Sequence, residues 1–189
     1  MTSFYSAEEL AELGFKSVGN NVQLSRKASL YGISRISIGN NVRIDDFCVL
    51  SAGKGGIEIG DYVHIAVYSS IMGEGKVTFE DFSGISSRVA IYSSNDDYSG
   101  NFLTNPTVSS EYTNVKHADV TLCKHVIVGS NSIILPGVTL GAGCAVGAMS
   151  LVNRDCDEFF IYSGTPAKRL KERSRNVLDW EQKLRAALD

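Results

Sequence analysis

From Val128 an apolar residue recurs at every sixth position, through Ile134, Leu140 and Val146 to Val152, and Gly129, Gly141 and Gly147 stand directly behind three of these leads. A six-residue period matches neither the 3.6-residue turn of a helix nor the two-residue alternation of a strand. Stacked coils built from short strands do carry such a period, because each coil repeats the same inward position.

The period resumes wherever it is broken. It runs through Val18, Leu24, Leu30 and Ile36, shifts to Ile38, Ile44 and Leu50, restarts at Ile59, Ile65 and Ile71, and again at Phe79, Ile85 and Ile91. Three hexads make one triangular coil, with the lead pointing inward and the small residue behind it turning the corner. Stacked leads bury a continuous apolar column that no single coil could bury alone. At 189 residues and 43% hydrophobic content, the chain suits one domain with a sizeable core.

The ends have a different texture. Ser6 to Glu9 forms a capping box ahead of Leu10 and Leu13, with Gly14 as a stop, which predicts a short helix over the first coil. Beyond Pro166 the chain turns strongly charged, and Leu170, Val177, Leu184 and Leu188 with Trp180 predict a closing helix. The expected organisation is a capping region over 1–16, a solenoid over 17–167 with a long loop at 94–119, and a C-terminal helix over 168–189. A net charge of -3 gives no footprint for nucleic acid. No apolar run reaches the length of a membrane span and no secretory leader is evident, so a cytoplasmic location is expected. Cys48, Cys123, Cys144 and Cys156 form no C-x-x-C pair and read as core or corner filler.

Between Ile91 and Val120 the hexads vanish, and about thirty residues rich in aromatic, carboxylate and amide groups leave the coil. A long excursion of that composition on a compact scaffold points to function.

The hexads, the run from Val128 to Asp155, its Ile134-Leu-Pro-Gly-Val138 segment and the terminal Gly164-Thr-Pro-Ala-Lys168 together resemble the left-handed β-helix, hexapeptide-repeat acyltransferases, in their sugar and xenobiotic acetyltransferase branch. The resemblance covers roughly Ile59 to Arg169. It implies an all-β solenoid, a left-handed parallel β-helix with terminal helices, whose hand is an exception to the usual right-handed crossover. It also implies acetyl-CoA as co-substrate without a metal, and a homotrimer with sites between subunits. The implied activity is a cytoplasmic enzyme acetylating a nucleotide-linked sugar for lipopolysaccharide or other bacterial surface polysaccharide.

In that family the loop opens with Thr-x-His-Pro, whose histidine is the general base. Here Ser94 stands at the threonine, Asp96 at the histidine and Asp97 at the proline. A sugar hydroxyl, with a pKa approaching about 15.7, demands a base matched as well as imidazole. A carboxylate near pKa ~3.9 matches poorly. An amine with a pKa of roughly 8 is already about one-tenth neutral at pH 7 and tolerates a weak base. Loss of the histidine therefore tilts the expectation towards N-acetylation of an amino sugar, with O-acetylation of a hydroxyl as the alternative.

Asp96 and Asp97 are the candidate catalytic carboxylates, and their adjacency would raise at least one of the two pKa values. His64, just ahead of the lead Ile65, is a third candidate, as sugar contact or as base across a subunit boundary. Asn95, Tyr98 and His117 are candidate acceptor contacts. Along the implied pantetheine path, Gly129, Ser130, Gly147, Ala148 and Ser150 are candidate cofactor contacts because small corners permit close approach. Thr165, Ala167, Lys168 and Arg169 are assigned to the nucleotide end, where cations meet phosphates. Two other readings stay open: a zinc lyase of the same fold using His64, His117 and His125, and a non-catalytic binding scaffold. The zinc family places two of its histidines closer in sequence than His117 and His125 stand, and His125 reads as a strand residue outside the site.

Overall fold

The computed structural model describes residues 3–188, so residues 1–2 and 189 of the expected terminal regions lie outside it. The chain winds into a left-handed parallel β-helix of about seven turns. Three sheets form its faces. The first stacks Ser17–Val18, Ile36–Ile38, Ile57–Ile59, Val77–Phe79, Val120–Leu122 and Thr139–Leu140. The second runs from Gln23–Leu24 through Arg43–Ile44, His64–Ile65, Gly84–Ile85, Ile127–Val128 and Ala145–Val146 to Phe160–Ser163. The third stacks Ser29–Tyr31, Val49–Ala52, Ser70–Gly73, Ala90–Tyr92, Ile133–Ile134 and Leu151–Val152.

Register follows the leads: Ile44 pairs with Ile65, Ile65 with Ile85, and Ile85 with Val128. Leu24, Ile44, Ile65 and Val128 are fully buried, as are Leu50, Ile71, Ile91 and Ile134 on the third face. Burying each such side chain contributes roughly 1.5–3 kcal/mol relative to exposure, so the column itself holds the solenoid.

The corners differ from the expectation. On the first two faces the residue behind the lead does not turn the chain; the left-handed residue stands three positions beyond the lead, and it is often large. Tyr62, Phe82 and His125 occupy one corner column with φ of 58°, 59° and 61°, and Phe47, Tyr68 and Arg88 occupy the next with 59°, 63° and 60°. Stacking offsets the cost of these backbone angles: the Tyr62 and Phe82 ring centroids lie 4.7 Å apart, Phe82 and His125 5.2 Å, and Phe47 and Tyr68 5.1 Å. Glycine behind the lead serves coil stacking instead. A Cβ at Gly39 would stand 2.7 Å from the Gly60 carbonyl carbon of the next coil.

The first helix, α1 (Ala7–Glu12), carries the expected capping box, with Ser6 N–H donating to Glu9 Oε2 at 2.7 Å and Ser6 Oγ accepting from Glu9 N–H at 3.3 Å. It buries Leu10 against the first coil.

The C-terminal expectation needs correction. Lys168–Glu172 is not helical; it is a strand antiparallel to Phe160–Ser163. Gly164, at φ 106°, begins a turn that sends the chain back, and Ala167 N–H donates to Leu151 O at 2.8 Å. The returning strand covers the edge of Phe160–Ser163, which would otherwise present unpaired backbone groups. Only Val177–Ala186 forms the second helix, α2, and Leu170 falls outside it. That helix buries no residue; charge holds it in place. Glu181 accepts from Lys124 at 2.6 Å, from Arg185 at 2.7 Å, and lies 2.7 Å from His125 Nε2.

Candidate active site

The excursion expected at 94–119 leaves the solenoid after Ala90–Tyr92 and closes on itself through a two-stranded antiparallel pair, Ser94–Asn95 against Lys116–His117. Ser94 faces His117. Its Oγ accepts from Glu74 N–H at 2.8 Å and lies 2.7 Å from His117 Nδ1. With one lone pair engaged by Glu74, the Ser94 hydroxyl still offers Nδ1 a proton or a second lone pair, and when it donates, the neutral ring carries its proton on Nε2. Between this pair, the loop and the neighbouring corners lies a cavity of about 560 Å³ that includes Tyr31, Arg35, Glu74, Ser94, Asp96 and His117 in its lining. Arg35 is committed to its wall, donating to Ala52 O at 2.6 Å and Gly53 O at 2.8 Å.

Asp96 and His117 thus come together at one exposed cavity, although about twenty residues separate them in sequence. Asp97 does not join them. Its carboxylate accepts from Ser99 N–H at 2.6 Å and Asn114 Nδ2 at 2.7 Å, inside the loop. Those hydrogen bonds, Ser99 first, hold its carboxyl below the usual carboxylate range, so Asp97 is not a carboxylate raised by its neighbour. Asn95 is engaged in the strand pair opposite Lys116, and Tyr98, 87% exposed, is not part of the cavity lining.

A second cavity, about 570 Å³, is a groove along the face of the second sheet, lined in part by Tyr62, His64, Ala66, Ser86, Ser130 and Arg173. Its floor follows from strand alternation. The positions after the inward leads are Ala66, Ser86, Gly129 and Gly147, so a smooth gutter runs from coil to coil. Such a gutter accepts an extended, flexible chain such as pantetheine. Ser86 brings a hydroxyl into it. The hexad reading passed over Ser86, because only stacking reveals that it shares a column with Ala66 and Gly129.

Of the expected cofactor contacts, Gly129, Ser130, Gly147 and the exposed Ala148 follow this gutter. Glycine at 129 is also required by stacking, since a Cβ there would collide with the Ala148 backbone. Ser150 is a correction. It is 2% exposed, donates to Gly147 O at 2.7 Å and accepts from Gly164 N–H at 3.1 Å, so it serves the turn and offers nothing to a ligand.

At the C-terminal end a third cavity of about 350 Å³ includes Arg154, Tyr162, Ala167, Lys168 and Arg169. Ala167 is buried, Thr165 donates to Met149 O at 3.2 Å, and Arg169 lies over the Phe160 ring and 3.4 Å from Asp157. Lys168 is exposed on the same rim.

The three histidines do not converge. His64 pairs with Asp45, His117 with Ser94 and His125 with Glu181. His125 is not on a strand; it turns a corner, is 5% exposed and lies beneath α2. Among the described residues no group of three or more His, Cys, Asp or Glu side chains is placed to hold a metal ion. No helix among them is long and apolar enough to cross a membrane.

No family model matches the chain. It is 61% identical over 173 residues to a dTDP-4-amino-4,6-dideoxy-D-glucose acyltransferase of Escherichia coli, covering 92% of this chain and 90% of that protein. It is also similar to solved structures of AntD, an N-acyltransferase from Bacillus cereus. A serine-to-cysteine variant of AntD in complex with dTDP-4-amino-4,6-dideoxyglucose and coenzyme A superposes with a TM-score of 0.94 at 49% identity, over 99% of each chain. AntD in complex with dTDP and 3-hydroxybutyryl-CoA superposes with a TM-score of 0.95 at 49% identity, over 100% of this chain and 99% of that one.

Proposed function

This chain belongs to the hexapeptide-repeat acyltransferase family, and from that premise we propose that it moves an acyl group from a coenzyme A thioester to the amino group of a dTDP-linked amino sugar. The observation that carries this reading is Asp96: a carboxylate takes the loop position that the resembled acetyltransferases give to their histidine, and it lines the cavity where the loop meets the solenoid. An amino sugar reaches the site largely as an ammonium ion, and a carboxylate binds that form through charge-assisted hydrogen bonds. It also takes the ammonium proton that must leave before attack, from a group that is partly deprotonated in solution already. A hydroxyl acceptor would gain little from either effect.

In this reading the pantetheine lies in the gutter of Ala66, Ser86, Gly129 and Gly147, with Lys168 and Arg169 towards the CoA phosphates. The thioester carbon is attacked by the sugar nitrogen, a C–N bond forms, the C–S bond breaks, and the thiolate leaves with a proton. Ser86 supplies a hydroxyl donor for the oxygen that becomes negative during attack. His117 donates from Nε2 to an oxygen of the acceptor in the tautomer whose Nδ1 accepts from Ser94. The donor is acetyl-CoA or a somewhat longer acyl-CoA; one similar structure holds 3-hydroxybutyryl-CoA.

The loop cavity and the gutter occupy different sides of the solenoid. A three-fold assembly brings the gutter of one copy against the loop of the next, so we assign the complete site to a homotrimer. The product would enter surface polysaccharide assembly from the cytoplasm.

The test is incubation of the protein with dTDP-4-amino-4,6-dideoxyglucose and either acetyl-CoA or 3-hydroxybutyryl-CoA, followed by mass spectrometry of the sugar. The expected product is an amide resistant to mild alkali. An alkali-labile ester, or an unmodified sugar with both donors, would contradict the proposal.

A further inference from the structure

The second sheet carries a cluster of charged side chains at the edge of the gutter that the transfer described above leaves without a role. Parallel register stacks Arg43, His64 and Gly84 outward on successive coils. Asp45 projects beside them, two residues beyond Arg43 on the same face. His64 Nε2 lies 2.8 Å from Asp45 Oδ2, and Arg43 Nε donates to the other oxygen, Oδ1, at 2.7 Å. Asp45 is only 18% exposed at its side chain. Burial pushes its carboxyl upward, but the hydrogen bonds from Arg43 and His64 outweigh burial and hold it below the usual carboxylate range.

A carboxylate can only accept, so His64 Nε2 must carry a proton in this pair. Nδ1 is then the nitrogen with a free lone pair in the neutral ring. Among the described residues none hydrogen-bonds to Nδ1. The ring lines the same groove as Ala66 and Ser86, and the next residue in its column is Gly84, which leaves the space above it open. A base oriented by a third group, itself pinned by a fourth, is the arrangement expected of a proton carrier.

We infer that Asp45 and His64 form a proton-carrying dyad for acyl transfer, in which His64 Nδ1 takes the proton from the attacking nitrogen and returns it to the departing CoA sulfur. This rests on the N-acyl transfer reading. The ammonium first gives one proton to Asp96 and becomes the amine; the nitrogen loses a second as the C–N bond is completed, the ring carries that one as an imidazolium facing Asp45, and the thiolate receives it when the C–S bond breaks. No oxidant or reductant is involved, and protons balance across the step. His64 is then a catalytic residue, whereas Asp45 and Arg43 are positioning residues acting through it.

The experiment compares the parent protein with His64→Gly, Asp45→Asn and the double variant, measuring CoA thiol release from the dTDP-amino sugar with and without added imidazole, and acyl-CoA binding by calorimetry. The dyad predicts that His64→Gly lowers kcat by about 100-fold with KM for both substrates within about threefold. Free imidazole entering the vacated space should restore several-fold of the loss, which a merely structural histidine would not permit. Asp45→Asn should lower kcat at least about tenfold, and the double variant should be no worse than His64→Gly within about twofold, because the two residues act as one unit. Retention of kcat within about threefold by His64→Gly would overturn the dyad. So would an inactive His64→Gly that still binds acyl-CoA but gains nothing from imidazole. If His64→Gly fails to bind acyl-CoA at all, Asp45→Asn decides: an unchanged kcat overturns the dyad. Failure of the parent itself to release thiol with any amino sugar would instead defeat the transfer reading on which the dyad rests.

Discussion

Asp96 is a single exposed carboxylate whose importance comes from its address. It was legible in the sequence because the hexads stop at Ile91 and the family's loop histidine falls on it. Its partner was harder to read. His117 was named as a candidate contact, but only the pairing of Ser94–Asn95 with Lys116–His117 shows that it shares a cavity with Asp96. Ser86 and Asp45 carried no signal along the chain, since their decisive neighbours come from other coils, Ala66 and Gly129 for Ser86 and His64 for Asp45. Conversely Asp97 and Ser150, polar residues at suggestive places, prove to be committed to the loop and to a turn. Replacing Asp96 by Asn should lower kcat for the amino sugar by about 100-fold while leaving acyl-CoA affinity within about twofold. Steady-state kinetics with calorimetry checks this, and an unchanged kcat would remove Asp96 from the chemistry.

At the scale of elements, the strands follow from the leads, whereas the corners obey a rule that turn propensities do not contain. Aromatic and histidine residues at positive φ are tolerated because each stacks on the next coil, as Tyr62, Phe82 and His125 do. Phe82→Ala removes the middle of that column and should cost roughly 1–3 kcal/mol, read as a lowered midpoint in urea. The charged lock beneath α2 gives a pH prediction with a definite sign. Burial alone would raise the Glu181 carboxyl, but Lys124, Arg185 and His125 hold it down to about 2. A carboxyl depressed on folding stabilises the native state above its unfolded value and loses that contribution as pH falls through the folded one. Thermal stability should therefore decline between about pH 5 and pH 2 by an amount on the order of 2 kcal/mol, and Glu181→Gln should lose most of that dependence. An identical pH profile in the two proteins would show that α2 is held by something else.

For the molecule as a whole, the solenoid was the most legible feature, because a period sustained across the chain reports every coil at once. Its C-terminal closure was not. The charged run after Pro166 reads as a helix start, but the edge of Phe160–Ser163 draws Lys168–Glu172 into a strand first. Assembly is likewise outside what one chain's period expresses, and it has a direct test. If the loop of one copy completes the gutter of another, Asp96→Ala and a gutter-filling Ser86→Trp will each be inactive alone. Co-expressed in equal amounts, they will regain about a quarter of parental sites, those pairing an intact gutter with an intact loop. No recovery would place both halves of the site within a single copy.

The central claim is that nitrogen, not oxygen, receives the acyl group. It is tested most directly by the ratio of kcat/KM for two dTDP-linked 6-deoxy sugars that differ only in bearing an amine or a hydroxyl at the same carbon, measured by CoA thiol release. A preference for the amine of about a thousandfold or more is predicted, whereas equal turnover or preference for the hydroxyl would contradict it.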